Sequence, residues 1–334
     1  MAAPSVQKIL VIGGNGFIGS AICRAALAKG MQVASVSSTG RPYTTPKGHS
    51  PAWTSKVTWL KGSAKNPSSF SDVLPDVHGV VHTLGTLIED GGRYKQALKE
   101  GDVTKMIGTA MSTVFGTKNP LGQDAEGSYE NLNRDSALRV CEAFLSSGHD
   151  KQYSFPRPFI YISAEDVFRP FIPARYIETK REAEMGIETM LSTSPPGQYR
   201  GVYIRPSLVY HAHYRPLTTP AAAALDLSAS LHRKIPQGIP TPSQVLRHLG
   251  TALSLHPPPA GPSDRTSLGS PLESVANAMT IPPIHVDHVA EAIAISLGDV
   301  DINGVVGVRR MRELIGWWPE DHVDQGHKQT EAHS

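Results

Sequence analysis

Acidic residues are missing from the first part of the chain. From Met1 to Ser71 there is no Asp and no Glu; Asp72 is the first. The same stretch carries Lys8, Arg24, Lys29, Arg41, Lys47, Lys56, Lys61 and Lys65. A carboxylate-free surface suits phosphate groups, and it shares the acidic-poor bias of a mitochondrial import segment. Little chain precedes Lys8, which leaves a cleavable presequence little room. Cysteine is scarce as well. Cys23 and Cys141 fall in helical patterns, and neither has a His or Cys at metal-ligand spacing. That excludes a disulfide framework and predicts two buried thiols. No apolar run approaches the roughly 20 residues that span a bilayer. Net charge is small, +2 over 334 residues with 40% apolar residues. The balance describes a globular chain and excludes a charge-driven nucleic-acid binder. Internal repeats are absent.

What is present is an alternation. Short β-branched runs occur at "KILVI" (Lys8–Ile12), "QVASV" (Gln32–Val36), "VTWL" (Val57–Leu60), "GVVHTL" (Gly79–Leu84), "FIYIS" (Phe159–Ser163) and "GVYIRP" (Gly201–Pro206). Helical patterns at 17–29, 129–147 and 176–191 lie between some of them. Strands alternating with helices predict an α/β fold, a Rossmann-type doubly wound parallel sheet with a smaller C-terminal lobe. The rhythm fails after Pro206. The expected division is a cofactor-binding domain over 1–206 and a lobe over 207–318. Within the lobe, 217–253 reads as broken helices. The Pro/Gly/Ser-rich run 256–271 reads as a mobile loop, and 281–297 as a strand–helix segment packing back on the first domain. Gly101–Gly127 reads as an irregular insertion and 319–334 as a flexible tail.

"ILVIGGNGFIGSAI" sets Gly13, Gly16 and Gly19 between a strand and a helix. Gly13 allows the tight turn, Gly16 the close approach of a pyrophosphate, and Gly19 the packing of helix on strand. The helix N-terminus, at Phe17 and Ile18, adds its dipole. The second strand runs into "SVSSTGRP". Ser37 and Ser38 offer hydroxyls there and Arg41 a cation, where an NAD site would place a carboxylate. A guanidinium pairs with a ribose 2′-phosphate, so NADP(H) is expected over NAD(H).

"ARYIETKREAE" (Ala174–Glu184) places Tyr176 four residues before Lys180, on one helix face. A nearby ammonium favours the phenolate and is expected to lower the Tyr176 pKa toward a range useful for proton transfer. Ser163 ends the preceding strand, at the edge where ligands gather in open α/β sheets. Tyr43 and Lys47 repeat the spacing, but Pro46 and a loop setting exclude a helical site. No metal site is expected. His211 and His213 read as surface histidines, and His285 and Asp287 as structural residues at a strand end.

The motifs "GGNGFIG", "YENLNRDSALRVCEAF" with Asn133, "FIYISAED", "YIETKREAE", "IRPSLVY" and "IHVDHVAEAI" occur in an order that resembles the extended and atypical short-chain dehydrogenases/reductases. "VSSTGRP", "HTLGTLIED" and "YIETKREAE" are most similar to fungal mitochondrial members associated with ubiquinone biosynthesis. The chain also resembles the nucleotide-binding accessory subunit of respiratory complex I, which holds NADPH without evident catalysis. The resemblance implies that Ser163, Tyr176 and Lys180 form a catalytic group. It implies that Thr83, Leu84 and Gly85 line the nicotinamide side and that Pro206 and Ser207 lie beside the nicotinamide. Near the adenine, Ser63 stands where the family usually has Asp. A mitochondrial protein on the matrix side of the inner membrane is implied, peripherally attached, with ubiquinone-biosynthesis proteins as partners and a hydrophobic small-molecule substrate. "RRMRELIGWW" (Arg309–Trp318) is a candidate for the membrane contact, or a helix packed on its own domain. Two other readings stand beside a reductase: a cofactor-holding structural subunit and a nucleotide-sugar epimerase-like enzyme.

Overall fold

The computed structural model describes residues 6–85, 129–148, 155–167, 169, 172–211, 218–236, 240–253 and 268–317. The insertion Gly101–Gly127, most of 256–271 and the tail 319–334 lie outside them, as do His213 and Trp318.

Strand β1 (Lys8–Ile12) shows why the sheet is central. Its alternate residues Ile9 and Val11 enter one core, Leu10 and Ile12 the other, and none is more than 1% exposed. A strand covered on both faces reads as a continuous apolar run, as this one does. On one side it pairs with β2 (Gln32–Ser37), and β2 with β3 (Val57–Lys61). On the other side follow β4 (Gly79–His82), β5 (Arg157–Ile162) and β6 (Tyr199–Arg205). With β9 (Gly304–Gly307) at the far edge, the order is β3-β2-β1-β4-β5-β6-β9, with every pair parallel. The chain adds strands outward from β1 first on one side and then, from β4, on the other, and this switch opens a crevice beyond the carboxyl ends of β1 and β4.

Helix α1 (Phe17–Ala28) covers one face, joined by α7 (Val286–Gly298) and α8 (Val308–Leu314). On the other face lie α2 (Ser136–Ser146), α3 (Ala174–Ser192) and a 3₁₀ segment at Pro67–Asp76. Cys23 and Cys141 are both free and buried, and burial pushes each thiol up to about 12. Met311 of "RRMREL" is buried, so α8 packs one side on its own sheet.

The seventh strand, β9 (Gly304–Gly307), comes from beyond Pro206 and pairs with β6. Its four residues, "GVVG", are too short and too glycine-rich to announce a strand, so the sheet extends past the expected boundary of the first domain. Between β6 and β9 the chain forms a ribbon of β7 (Val209–Tyr210) with β8 (Ile284–His285), and helices α4 (Thr218–Lys234), α5 (Pro242–Leu253) and α6 (Pro271–Thr280).

The sheet's amino edge is held by two buried arginines. Arg157 donates to the carbonyls of Leu74 at 2.6 Å and Val77 at 2.7 Å, with its guanidinium over the Phe144 ring. Arg200 donates to the carbonyls of Ser296 and Ile302.

Candidate functional site

The glycine loop closes over the end of β1. Gly13 has φ +88°, a left-handed conformation that glycine adopts without strain. A Cβ on Gly19 would stand 2.2 Å from the Gly13 carbonyl oxygen, so α1 reaches this depth only with glycine there. At the N-cap of α1, Gly16 supplies no side-chain hydrogen bond, and the first turn holds no acid. The helix start at Phe17 and Ile18 therefore presents backbone and a positive dipole end, the arrangement that binds phosphate. These residues fit a dinucleotide pyrophosphate.

Thr83, Leu84 and Gly85 connect that loop to the catalytic candidates. Thr83 Oγ1 donates to the Ile12 carbonyl at 2.7 Å. A Cβ on Gly13 would strike Thr83 Oγ1 and Leu84 Cδ2, at 2.7 and 2.8 Å. One on Gly85 would meet Lys180 Nζ at 2.6 Å and Asn133 Oδ1 at 3.0 Å. At the ends of β2 and β3, Ser37 Oγ accepts from the Gly40 N–H at 3.1 Å, and Ser38 is exposed. Arg41 is exposed too, its backbone N–H donating to Thr39 Oγ1. The Ser63 N–H donates to Ser69 Oγ at 3.0 Å. Tyr43 stacks on Trp53, outside any helix, so its spacing to Lys47 has no helical meaning.

Ser163 follows β5 and is 2% exposed; its N–H donates to the Ile204 carbonyl of β6 at 2.8 Å. Lys180 reaches the same strand end from α3. Its Nζ donates to the Ile162 carbonyl at 2.8 Å and the Leu84 carbonyl at 3.4 Å, and lies 4.8 Å from the Tyr161 ring centre. Burial brings the Lys180 ammonium down to about 7, against the favourable charge of Glu184. Tyr176, one turn earlier, is half-buried with its ring edge-on to Tyr129. Burial pushes its phenol up to about 12. The expected lowering by Lys180 is not found: loss of water from the phenolate raises the group instead, and the Lys180 ammonium spends its hydrogen bonds on backbone carbonyls. At neutral pH Tyr176 therefore keeps its proton. Beside Ser163, the buried Pro206 carbonyl accepts from the Glu165 N–H at 2.9 Å, and Ser207 Oγ donates to the Pro282 carbonyl at 2.6 Å.

Three further residues enter the site. Asn133, fully buried, sits in a π-helical turn (Glu130–Asp135), donates Nδ2 to Thr179 Oγ1 and accepts the Tyr161 hydroxyl at its carbonyl. His82, also fully buried, contacts Ser136 Oγ through Nε2 at 3.2 Å. Burial first, then the Lys180 charge, lowers it to about 3, so it is a neutral imidazole. Glu165 lies two residues past Ser163, with Oε2 buried and unpartnered among the described residues. Burial pushes its carboxyl up, against the charges of Arg181 and Arg205. Behind it Glu184 is ion-paired to both arginines. Burial alone would raise Glu184, but the Arg205 hydrogen bond and the two positive charges hold it below the usual range. Ser163 Oγ stands near this carboxylate without a well-formed bond to it, which leaves the hydroxyl available. Asn133 was singled out within its motif; His82 opens "HTLGTLIED" and Glu165 lies in "FIYISAED", but the sequence assigned neither a role.

Residues 9–116 match the NAD dependent epimerase/dehydratase family. MIOREX complex component 2 of Saccharomyces cerevisiae is 33% identical over 214 residues, 62% of this chain and 74% of that protein. An uncharacterized chloroplastic protein of Arabidopsis thaliana is 25% identical over 308 residues, 92% of this chain and 77% of its own. Among solved structures, a 3-oxoacyl-acyl-carrier-protein reductase from Brucella melitensis in complex with NAD superposes with a TM-score of 0.51. It is 14% identical, covering 91% of this chain and 96% of its own, a likeness of fold.

Proposed function

The chain belongs to the NAD dependent epimerase/dehydratase family, within the extended short-chain dehydrogenases/reductases, and from that premise we propose an NADP(H)-dependent reductase of a hydrophobic, quinone-pathway carbonyl. One observation carries the reading. Lys180 Nζ sits on the carbonyl of the residue before Ser163, against Leu84 and Gly85, so strand end, helix face and glycine-loop side converge.

When bound, the cofactor supplies hydride. The chain's own residues do the rest. Gly13, Gly16 and Gly19 with the α1 N-terminus hold the pyrophosphate, and the Arg41 guanidinium pairs with the ribose 2′-phosphate. Ser163 Oγ donates to the substrate carbonyl oxygen. Tyr176, protonated up to about pH 12, delivers its proton to that oxygen as negative charge develops there. A retained proton favours the direction of carbonyl reduction. Lys180, brought down to about 7 by burial, is part-protonated at neutral pH and lends a partial positive charge to the helix face it shares with Tyr176.

The setting proposed is mitochondrial, peripheral on the matrix side of the inner membrane, with ubiquinone-biosynthesis proteins as partners. The acid-free stretch Met1–Ser71 and the resemblance support it. No helix among the described residues is long and apolar enough to cross a membrane.

A second reading, a cofactor-holding subunit, is favoured by the unactivated Tyr176 and by a relative named as a complex component. Tyr176→Phe separates the two. Purified Tyr176→Phe should bind NADPH within about threefold of the parent, yet lose at least about a hundredfold of NADPH oxidation with short-chain quinone-ring carbonyls. In cells lacking the gene it should fail to restore growth, as should Gly16→Val. If Tyr176→Phe restores growth fully and Gly16→Val does not, the chain works by holding its cofactor and the reductase reading is wrong.

A further inference from the structure

The site above leaves a second group of functional side chains unused. His211 follows β7, His285 ends β8, and Asp287 lies in the first turn of α7. The pairing of Tyr210 with His285 in the ribbon draws the first two together, with ring centres 4.9 Å apart. One ligand atom from each of His211, His285 and Asp287 lies within 4.8 Å of the other two, and all three side chains are part-exposed. From this the geometry points to a divalent transition-metal site, of the zinc class, at His211, His285 and Asp287.

Donor chemistry sets the class. Two imidazoles and one carboxylate suit Zn²⁺, Co²⁺ or Fe²⁺, while calcium and magnesium want an all-oxygen shell. Ligand atoms about 2.1 Å from a tetrahedral zinc stand about 3.4 Å apart. The side chains therefore close by roughly an ångström, with water completing the shell. His285 has a local duty, since its Nδ1 accepts the Asp287 N–H at 3.3 Å and caps α7. Asp287 also pairs with Arg24 of α1 through Oδ1, while Oδ2 faces His285 Nδ1 at 3.8 Å. Capping and ion pairing account for these two residues without a metal. His211 reaches this pair from a separate strand, its ring centre 4.9 Å from that of His285. The Arg24 guanidinium is the natural competitor for the carboxylate. None of the three ligands belongs to the Ser163–Tyr176–Lys180 group, so the ion is assigned a clipping role, fastening the ribbon after Ser207 to α7. The assignment stands apart from the reductase reading.

The test uses the purified full chain stripped with a chelator, then titrated with Co²⁺ and Zn²⁺. One equivalent of Co²⁺ should give tetrahedral d–d absorption that Zn²⁺ abolishes, and Zn²⁺ should raise Tm. His211→Ala, which leaves the α7 cap intact, should weaken Co²⁺ binding at least tenfold with an unchanged circular-dichroism spectrum. His285→Asn keeps a capping oxygen and should do the same. Arg24→Leu should tighten Co²⁺ several-fold by removing the competitor. Absence of Co²⁺ bands in the parent chain, or bands that survive both histidine substitutions, would overturn the site.

Discussion

The proposed preference for NADP(H) places cofactor choice on one exposed side chain, Arg41. A guanidinium–phosphate contact contributes about 1.5–3 kcal/mol, so Arg41→Asp should lose roughly ten- to a hundredfold in NADPH affinity and bring NADH level or ahead. Fluorescence titration with both cofactors reads this; equal affinities in the parent chain would sink the assignment. Tyr176 shows a different limit. Its partner and spacing are legible in the sequence because residues four apart share a helix face. Its proton affinity is not, because that depends on the water lost when the folded chain closes around it. The protonation states of His82 and Glu165 were illegible for a related reason. Each is set by burial and by neighbours on other strands and helices, Lys180 and Ser136 for one, Arg181 and Arg205 for the other.

Elements carry the glycine loop's two separable tasks. A Cβ on Gly19 meets backbone of the same loop at 2.2 Å, which neither side can yield. Gly19→Ala should therefore push α1 off β1 and cost about 1–3 kcal/mol. At Gly16 the nearest atom is the Gly13 carbonyl oxygen at 3.2 Å. Gly16→Ala should unfold within about 1 kcal/mol of the parent yet bind NADPH at least tenfold more weakly, its methyl standing where the phosphate approaches. Thermal unfolding beside cofactor titration distinguishes them, and equal stability losses would refute the division of labour. The loop and the first six strands were readable because their signals are local: β-branched runs, glycine spacing and a helical period. The π turn holding Asn133 was not, since one widened turn leaves the apolar period nearly unchanged. Nor was β9, which becomes a strand only because β6 offers it an edge.

For the molecule as a whole, buried bases set the response to pH. His78 and His82 are held down to about 4 and about 3, chiefly by burial. Unfolded, each would bind a proton below about 6.5, so the unfolded state takes up more protons through that window. Stability should fall from pH 7 to 5 by about 1–2 kcal/mol for each, and His82→Gln should flatten the slope. Lys180 acts higher. Folded near 7 and unfolded near 10.5, it should add about 1–3 kcal/mol between pH 7 and 9, a gain absent from Lys180→Met. Urea unfolding at pH 5, 7 and 9 measures all three; a flat profile would contradict the burial argument. The seventh strand has a different consequence, one that belongs to the time before the molecule is finished. β9 pairs with β6 across roughly a hundred residues of intervening chain. A chain growing from its amino end completes Tyr199–Arg205 long before Gly304–Gly307 exists to cover it. Throughout that interval the edge holding Val202, Tyr203 and Ile204 is open to pairing with a neighbouring chain. Truncation before Gly304 should make that interval permanent, and the shortened protein should aggregate on expression even though every residue of the cofactor loop and of the Ser163–Tyr176–Lys180 group is present.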